Sequence, residues 1–207
     1  MLQTGIAVTK LKYKCMKCGT CCHEIIENRG LKRIPLYPEE VDNLIDIAKK
    51  KKIIFTVIED LVFPDIKNQK ILVITYKINL ENAENKCPFF DRVKGCIIHQ
   101  IKPLSCQAYP LALKRIDAFN FQISIDPLCN FVVDNYEELK NINKKQLEEI
   151  FLEEFPKAHK FYLKNKKLQL KIKKLEYQEK IKIPRKITLE KFNECLKEWD
   201  RKEINVK

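Results

Sequence analysis

The sequence predicts an α+β fold. A small cysteine-rich domain with a few strands and loops is expected over residues 1–133, followed by a helical, lysine-rich extension over 134–207. Two observations carry this. Apolar residues alternate or cluster as strands do in the first part, and recur with helical spacing in the second. Eight of the nine cysteines fall before residue 130, after which helical patterns take over.

The elements follow in order. The first cysteine cluster occupies residues 10–23, among Lys10, Lys12, Lys14 and Lys17. Pro38 suits a first helical position, and Glu39 and Glu40 suit the first turn. Val41, Leu44, Ile45 and Ala48 then fall at i, i+3, i+4 and i+7, which predicts an amphipathic helix. Lys49–Lys52 close it, where cations complement the helix dipole. Residues 53–58 (IIFTVI) and 71–78 (ILVITYKI) are rich in β-branched and aromatic residues and are expected to be strands. Residues 86–110 read as loop, with Pro88, Gly95, Pro103 and Pro110 among three cysteines. FNFQISI, 119–125, alternates apolar and polar and is expected to be a half-buried strand ending just before Cys129.

In the extension, Leu147, Ile150 and Phe151 share a helix face that Pro156 is expected to end. Phe161, Leu168, Ile172 and Leu175 mark a second helix, with Pro184 as the next break. Phe192, Cys195, Leu196 and Trp199 mark a last one. Cys195 lies on that apolar face and reads as a core residue, since a buried free thiol behaves as a small hydrophobe.

Composition bounds the function. Hydrophobic residues make up 45% of the chain, enough for a real core, which excludes global disorder. The N-terminus MLQTGIAVTKLKYK carries no secretory pattern, and no apolar run approaches the ~18 residues that span a bilayer. A cytoplasmic protein without membrane contact is the expectation. In a reducing compartment, clustered cysteines point to metal or catalysis rather than disulfides. The net charge is +12, and between Lys157 and Lys186 twelve Lys and Arg face only Glu176 and Glu179. That stretch is expected either to attract RNA or an acidic protein, or to be an ordinary solvated surface.

The strongest signal is KCMKCGTCCH. Cys15, Cys18 and Cys21 are each three residues apart, a spacing that lets a short loop wrap a polynuclear centre as in bacterial ferredoxins. Gly19 supplies the backbone freedom such a wrap needs. Ferredoxin-type runs end in Cys-Pro, and Cys87-Pro88 is such a pair. Zinc ribbons use two CxxC knuckles, whereas Cys87, Cys96 and Cys106 are nine and ten residues apart. The adjacent Cys21 and Cys22 are expected to diverge, which disfavours a single ion and favours two sites or one polynuclear cluster. With Cys129, eight thiols are available for two four-thiolate sites. An iron–sulfur centre, one or two clusters of 4Fe–4S type, is therefore expected, with zinc as the alternative. His23 and His99 are close enough in sequence to contribute, but eight cysteines suffice without them. His159 has no chemical neighbour in sequence.

These motifs resemble the CxxCxxCC cysteine-cluster family, also called YkgJ-type, whose members are described as zinc- or iron-chelating. CMKCGTCC, then CPFF, then CIIHQIKPLSCQAYP come in the family's order over about residues 13–130. The resemblance implies that the metal scaffold of Cys15, Cys18, Cys21, Cys22, Cys87, Cys96, Cys106 and Cys129 carries over. Flagellin lysine methylases carry a similar cluster, so enzymatic roles are permitted without being required. The family segment usually reads C-x-I-Y-x-x-R-P-x-x-C-R-x-F/Y-P. Here His99 stands for the tyrosine, Lys102 for the first arginine and Gln107 for the second, while Pro103, Tyr109 and Pro110 are kept. Lysine cannot reproduce an arginine's bidentate fork. The functional expectation is a metal-binding, iron–sulfur protein acting on a redox partner or protein substrate. The alternative is a zinc-stabilised module contacting RNA or another polyanion through Lys157–Lys186. The sequence shows no GxGxxG loop and no catalytic triad.

Overall fold

The computed structural model describes residues 11–23, 34–80, 85–116 and 121–206. Lys10 and residues 119 and 120 of the expected strand lie outside them.

The chain is α+β, built on one sheet and two small hairpins. β1 (Pro35–Leu36) leads into α1 (Pro38–Lys51), which starts at Pro38 as expected. The Glu40 carboxylate accepts the Tyr37 N–H at 2.9 Å, closing the helix start. The helix ends at Lys52, which takes a left-handed φ of 54°.

β2 (Val57–Asp65) and β3 (Lys70–Ile78) form an antiparallel hairpin. The strand expected over 53–58 therefore begins four residues late and runs past its expected end. Ile53 N–H bonds the Ala48 carbonyl at 2.9 Å, so the start of the β-branched run leaves the helix instead of entering the sheet. The charged, proline-containing EDLVFPD pairs with β3 because β2 is an edge strand, where Pro64 is tolerated.

β4 (Phe90–Asp91) and β5 (Gly95–Cys96) make a miniature hairpin inside the expected loop, followed by α2 (Leu104–Ala108). β6 (Leu111–Arg115) pairs antiparallel with β7 (Phe121–Ile125), the alternating strand foreseen from FNFQISI.

The rest is mainly helical: α3 (Asn130–Asp134), α4 (Tyr136–Leu139), α5 (Lys144–Ile150), α6 (Glu154–Tyr177) and α7 (Leu189–Glu198). Pro156 does not end the α5 pattern. It sits in the first turn of α6, where a missing N–H costs nothing. After α7 the charged segment DRKE forms β8 (Asp200–Glu203), parallel to β3. Nothing in its side chains announced a strand. One edge of β3 is thus shared, with β1 at Tyr76 and Lys77 and β8 at residues 70–73.

The long α6 turns Phe161 and Leu168 into a core with Tyr37, Leu72, Ile74, Leu104 and Ile204. Its buried Asn165 is satisfied, donating to Tyr37 Oη and the Phe161 carbonyl at 2.9 Å each. Cys195 is buried apart, against Ile71 and Val73, as expected of a core thiol. Two further cores flank the cysteines. One joins α1 to Cys87, Phe89, Phe90 and Ile98, and the other joins Cys129 to Ala108, Leu111, Ile150 and Phe151. Among the described residues no helix is long and apolar enough to cross a membrane.

Candidate metal centre

The first cysteine turn is anchored at both ends. Tyr13 N–H bonds the Ile150 carbonyl at 2.8 Å, and its ring packs edge-on against Phe131. Gly19 then takes φ 82°, ψ −3°, a left-handed conformation that side chains disfavour. It is also the point of closest approach to Phe90, since a Cβ there would lie 2.2 Å from the ring. The turn continues as a 3₁₀ segment over Thr20–Cys22, with Cys22 N–H on the Gly19 carbonyl at 2.6 Å. This tight winding brings the Cys21 and Cys22 sulfurs to 3.8 Å. The expected divergence of these neighbours does not hold, because a 3₁₀ turn is not an extended chain.

Each later cysteine is brought to this turn by a separate device. Cys87 N–H bonds the Cys22 carbonyl at 2.6 Å, fastening the Cys87-Pro88 segment directly to the first cluster. The β4–β5 hairpin is held by the Asp91 carboxylate, which accepts Lys94 and Val93 N–H groups at 2.7 and 2.9 Å. Those bonds hold the Asp91 pKa below its ordinary value, and the hairpin they close presents Cys96. Cys106 sits mid-way along α2. Glu40 of α1 caps that helix too, accepting Leu104 N–H at 2.7 Å, and Ser105 bonds the Pro35 carbonyl at 2.9 Å. Cys129 opens α3, whose Asn130 accepts the Thr20 hydroxyl at 2.9 Å.

The outcome is one cavity bordered by all eight of Cys15, Cys18, Cys21, Cys22, Cys87, Cys96, Cys106 and Cys129. Tyr13, Lys17, Phe90, His99, Lys102, Tyr109 and Phe131 complete much of its wall. Cys18 is exposed, Cys87 and Cys129 are buried, and the others are half-buried. Among the described residues no three Cys, His, Asp or Glu side chains converge on a single ion-sized point. The donors surround a space instead.

The electrostatics are those of crowded thiols. Burial pushes the Cys106 thiol up to about 12, helped by the nearby Cys21 and Cys96. Burial likewise raises Cys96 and Cys129, the latter with Cys18 and Cys21 adding to it. The hydrogen bond from Cys21 pulls Cys22 down, but the bond to Cys87, burial and the charges of Cys87 and Cys106 together leave it raised. Near neutral pH a thiol held neutral this way becomes a thiolate when a cation compensates it. The donor set therefore fits a soft, thiophilic metal.

The histidines separate. His23 Nδ1 meets the Gly19 carbonyl at 2.8 Å and its ring stacks edge-on against Phe90. His99 borders the cavity, and its pKa is lowered by burial and then by Lys102 and Lys17. His159 stacks on Tyr162, away from the cysteines. Sequence reasoning missed Tyr13 and Tyr109 as cavity residues. Burial first, and cysteine or Asp126 charges next, hold both phenols well above their usual range. Tyr13 is signalled only by its place two residues before Cys15, whereas Tyr109, three after Cys106, also stands at the aromatic position of the resembled segment.

Comparison with known proteins adds one finding. No curated protein and no solved structure matches the chain significantly. A family model described as "Putative zinc- or iron-chelating domain" matches residues 14–130, which run from the first cysteine turn to the start of α3 and include all eight cavity cysteines. Matched over more than half its length, in the segment that builds the thiol-lined cavity, the chain belongs to the CxxCxxCC family of metal-chelating domains.

Proposed function

We propose that the chain carries an iron–sulfur centre of the 4Fe–4S type, as one cluster or two, held by thiolates from the eight cavity cysteines. The role is redox or cluster-dependent, with a redox partner or protein substrate. One observation supports this above all: eight thiols surround a common space instead of converging on a point. That space offers about 60 Å³ to water-sized atoms, against roughly 10–15 Å³ for one water. A closed zinc site wants four thiolates mutually about 3.8 Å apart, from Zn–S bonds near 2.3 Å; the Cys21 and Cys22 sulfurs have that spacing, but among the described residues no third donor joins them on one point. Donors spread around a larger void suit a polynuclear core.

Bound there, an iron–sulfur cluster supplies one-electron chemistry, or an open iron if one thiolate is lacking. The chain's own groups do the rest. Ile34, Ile78, Ile98, Phe90 and Phe131 line the space and exclude water. Lys17 and Lys102 stand beside it and offset the negative charge of a thiolate-ligated core.

Anaerobic purification with iron, zinc and sulfide analysis tests this. Visible charge-transfer absorption and matched iron and sulfide are expected, and Cys22→Ser should lose iron relative to wild type. A colourless protein holding only zinc would refute it.

A second reading attaches to α6. Lys157, Lys160, Lys164, Lys167, Lys171 and Lys174 recur at alternating three- and four-residue spacing along one side of the helix. Lys164 is committed to Glu39 and to the Tyr37 ring, and Lys171 to the Asn205 carbonyl. Lys157, Lys160, Lys167 and Lys174 are exposed, without a carboxylate partner among the described residues. We infer that these four would meet phosphates if RNA binds. The log–log salt slope for single-stranded RNA should then be about −3, at about −0.7 per phosphate. A binding curve unchanged when all four become glutamine would end this reading.

A further inference from the structure

We propose that His99 is a metal ligand through Nε2, standing in for one thiolate among the cavity cysteines. This rests on the reading above that the thiol-lined cavity is the metal centre. Three observations carry it. His99 borders that cavity together with Cys96 and Cys106. Its Nε2 is buried, with no hydrogen-bond partner among the described residues. Leaving a buried polar nitrogen unsatisfied forfeits its hydration without return, so native folds give such an atom a partner. The other cluster-proximal imidazole, His23, already has its partner in the Gly19 carbonyl and its packing against Phe90. His99 has no such occupation.

The local backbone serves the same end. Cys96 ends β5 and His99 begins the 3₁₀ turn His99–Ile101, so a Cys-x2-His pair is delivered to one wall by a hairpin and the turn that follows. Lys102 and Lys17 are the charged groups nearest the ring, and neither hydrogen-bonds to its Nε2. A metal is the partner that a neutral imidazole nitrogen can take among thiolates. The chemical consequence is specific. A neutral imidazole in place of a thiolate removes one negative charge from the centre and raises its reduction potential.

The test uses the full chain loaded with Co²⁺ alone, and separately the anaerobic iron-containing protein with ¹⁵N-labelled histidine. Wild type should show a contact-shifted, exchangeable imidazole N–H resonance with Co²⁺, and ¹⁵N hyperfine coupling in the reduced iron form. Both signals should vanish in His99→Phe and persist in His23→Phe. Metal uptake with neither signal in wild type, or with both kept in His99→Phe, would overturn the assignment while leaving the metal centre intact. Failure of wild type to bind Co²⁺ or iron at all would overturn both. The labelled wild type alone decides the negative outcome, so a misfolded variant cannot hide it.

Discussion

Replacing Gly19 by alanine probes how tightly the first cysteine turn is locked to the rest of the site. At φ 82°, ψ −3° any L-residue meets the left-handed penalty, about 1–2 kcal/mol. The new Cβ would also stand 2.2 Å from Phe90 Cζ and 2.5 Å from Cε2, where carbons prefer about 3.5–4.0 Å. The ring must retreat by more than an ångström. Phe90 is only 9% exposed, and full burial of such a side chain contributes about 1.5–3 kcal/mol, so losing half of it costs about 1 kcal/mol or more. The expected loss is about 2–4 kcal/mol, or about 5–15 °C in Tm for a chain of this size. Urea and thermal unfolding with chelator present, so that metal affinity does not enter, measures it. Phe90→Ala removes the obstacle, so the double variant should be less destabilised than the sum of the singles by about 1–2 kcal/mol. A loss below about 1 kcal/mol for Gly19→Ala, or strict additivity with Phe90→Ala, would refute the contact as described.

Further outcomes can be checked together. The buried Asp65 accepts Lys182 N–H at 2.9 Å, Lys67 N–H at 3.2 Å and the Asn68 amide at 2.5 Å, clasping the segment after α6 to the β2–β3 turn. Asp65→Ala should cost about 2–4 kcal/mol in urea unfolding, because Lys182 N–H loses a charged acceptor. Cys106, Cys96 and Cys129 have folded pKa values above the ordinary thiol value of 9.0, Cys106 at about 12. The metal-free fold then binds more protons than the unfolded chain above pH 9, so its stability should hold below pH 9 and fall from pH 9 toward 12. Unfolding midpoints across that range decide it, and a rise in stability would contradict the sign. Metal uptake must expel those protons, so apparent affinity should climb with pH between 6 and 8 in a chelator competition. Cys195→Ala should leave metal content unchanged and cost about 1 kcal/mol in unfolding, whereas Cys106→Ser should lose metal.

Some of this protein could be read from its residues. The amphipathic pattern of Val41, Leu44, Ile45 and Ala48 placed α1, and strict alternation in FNFQISI placed β7, because side-chain period is a local property. The ligand candidates were legible for the same reason, since cysteine is scarce and its clustering is conspicuous. The errors have separate causes. IIFTVI was spent partly on a helix exit through the Ile53 bond to Ala48, EDLVFPD became an edge strand by hairpin pairing with β3, and DRKE became β8 by pairing with β3 from far along the chain.

What the sequence by itself determined is the donor chemistry: nine thiols, eight of them before α3, with the Cys-x2-Cys spacing and a glycine where the chain must turn left-handed. What only the tertiary structure decided is how those donors stand to one another. Residues 15 and 129 meet because Thr20 bonds Asn130, Cys87 is fastened to Cys22 through the backbone, and Glu40 caps α2 beneath Cys106. The same packing leaves His99 Nε2 without a partner among the described residues, walls the cavity with Tyr13 and Tyr109, and sends Cys195 to a different core. Local spacing sets which atoms can bind a metal, but burial and long-range hydrogen bonds choose which of them share a space.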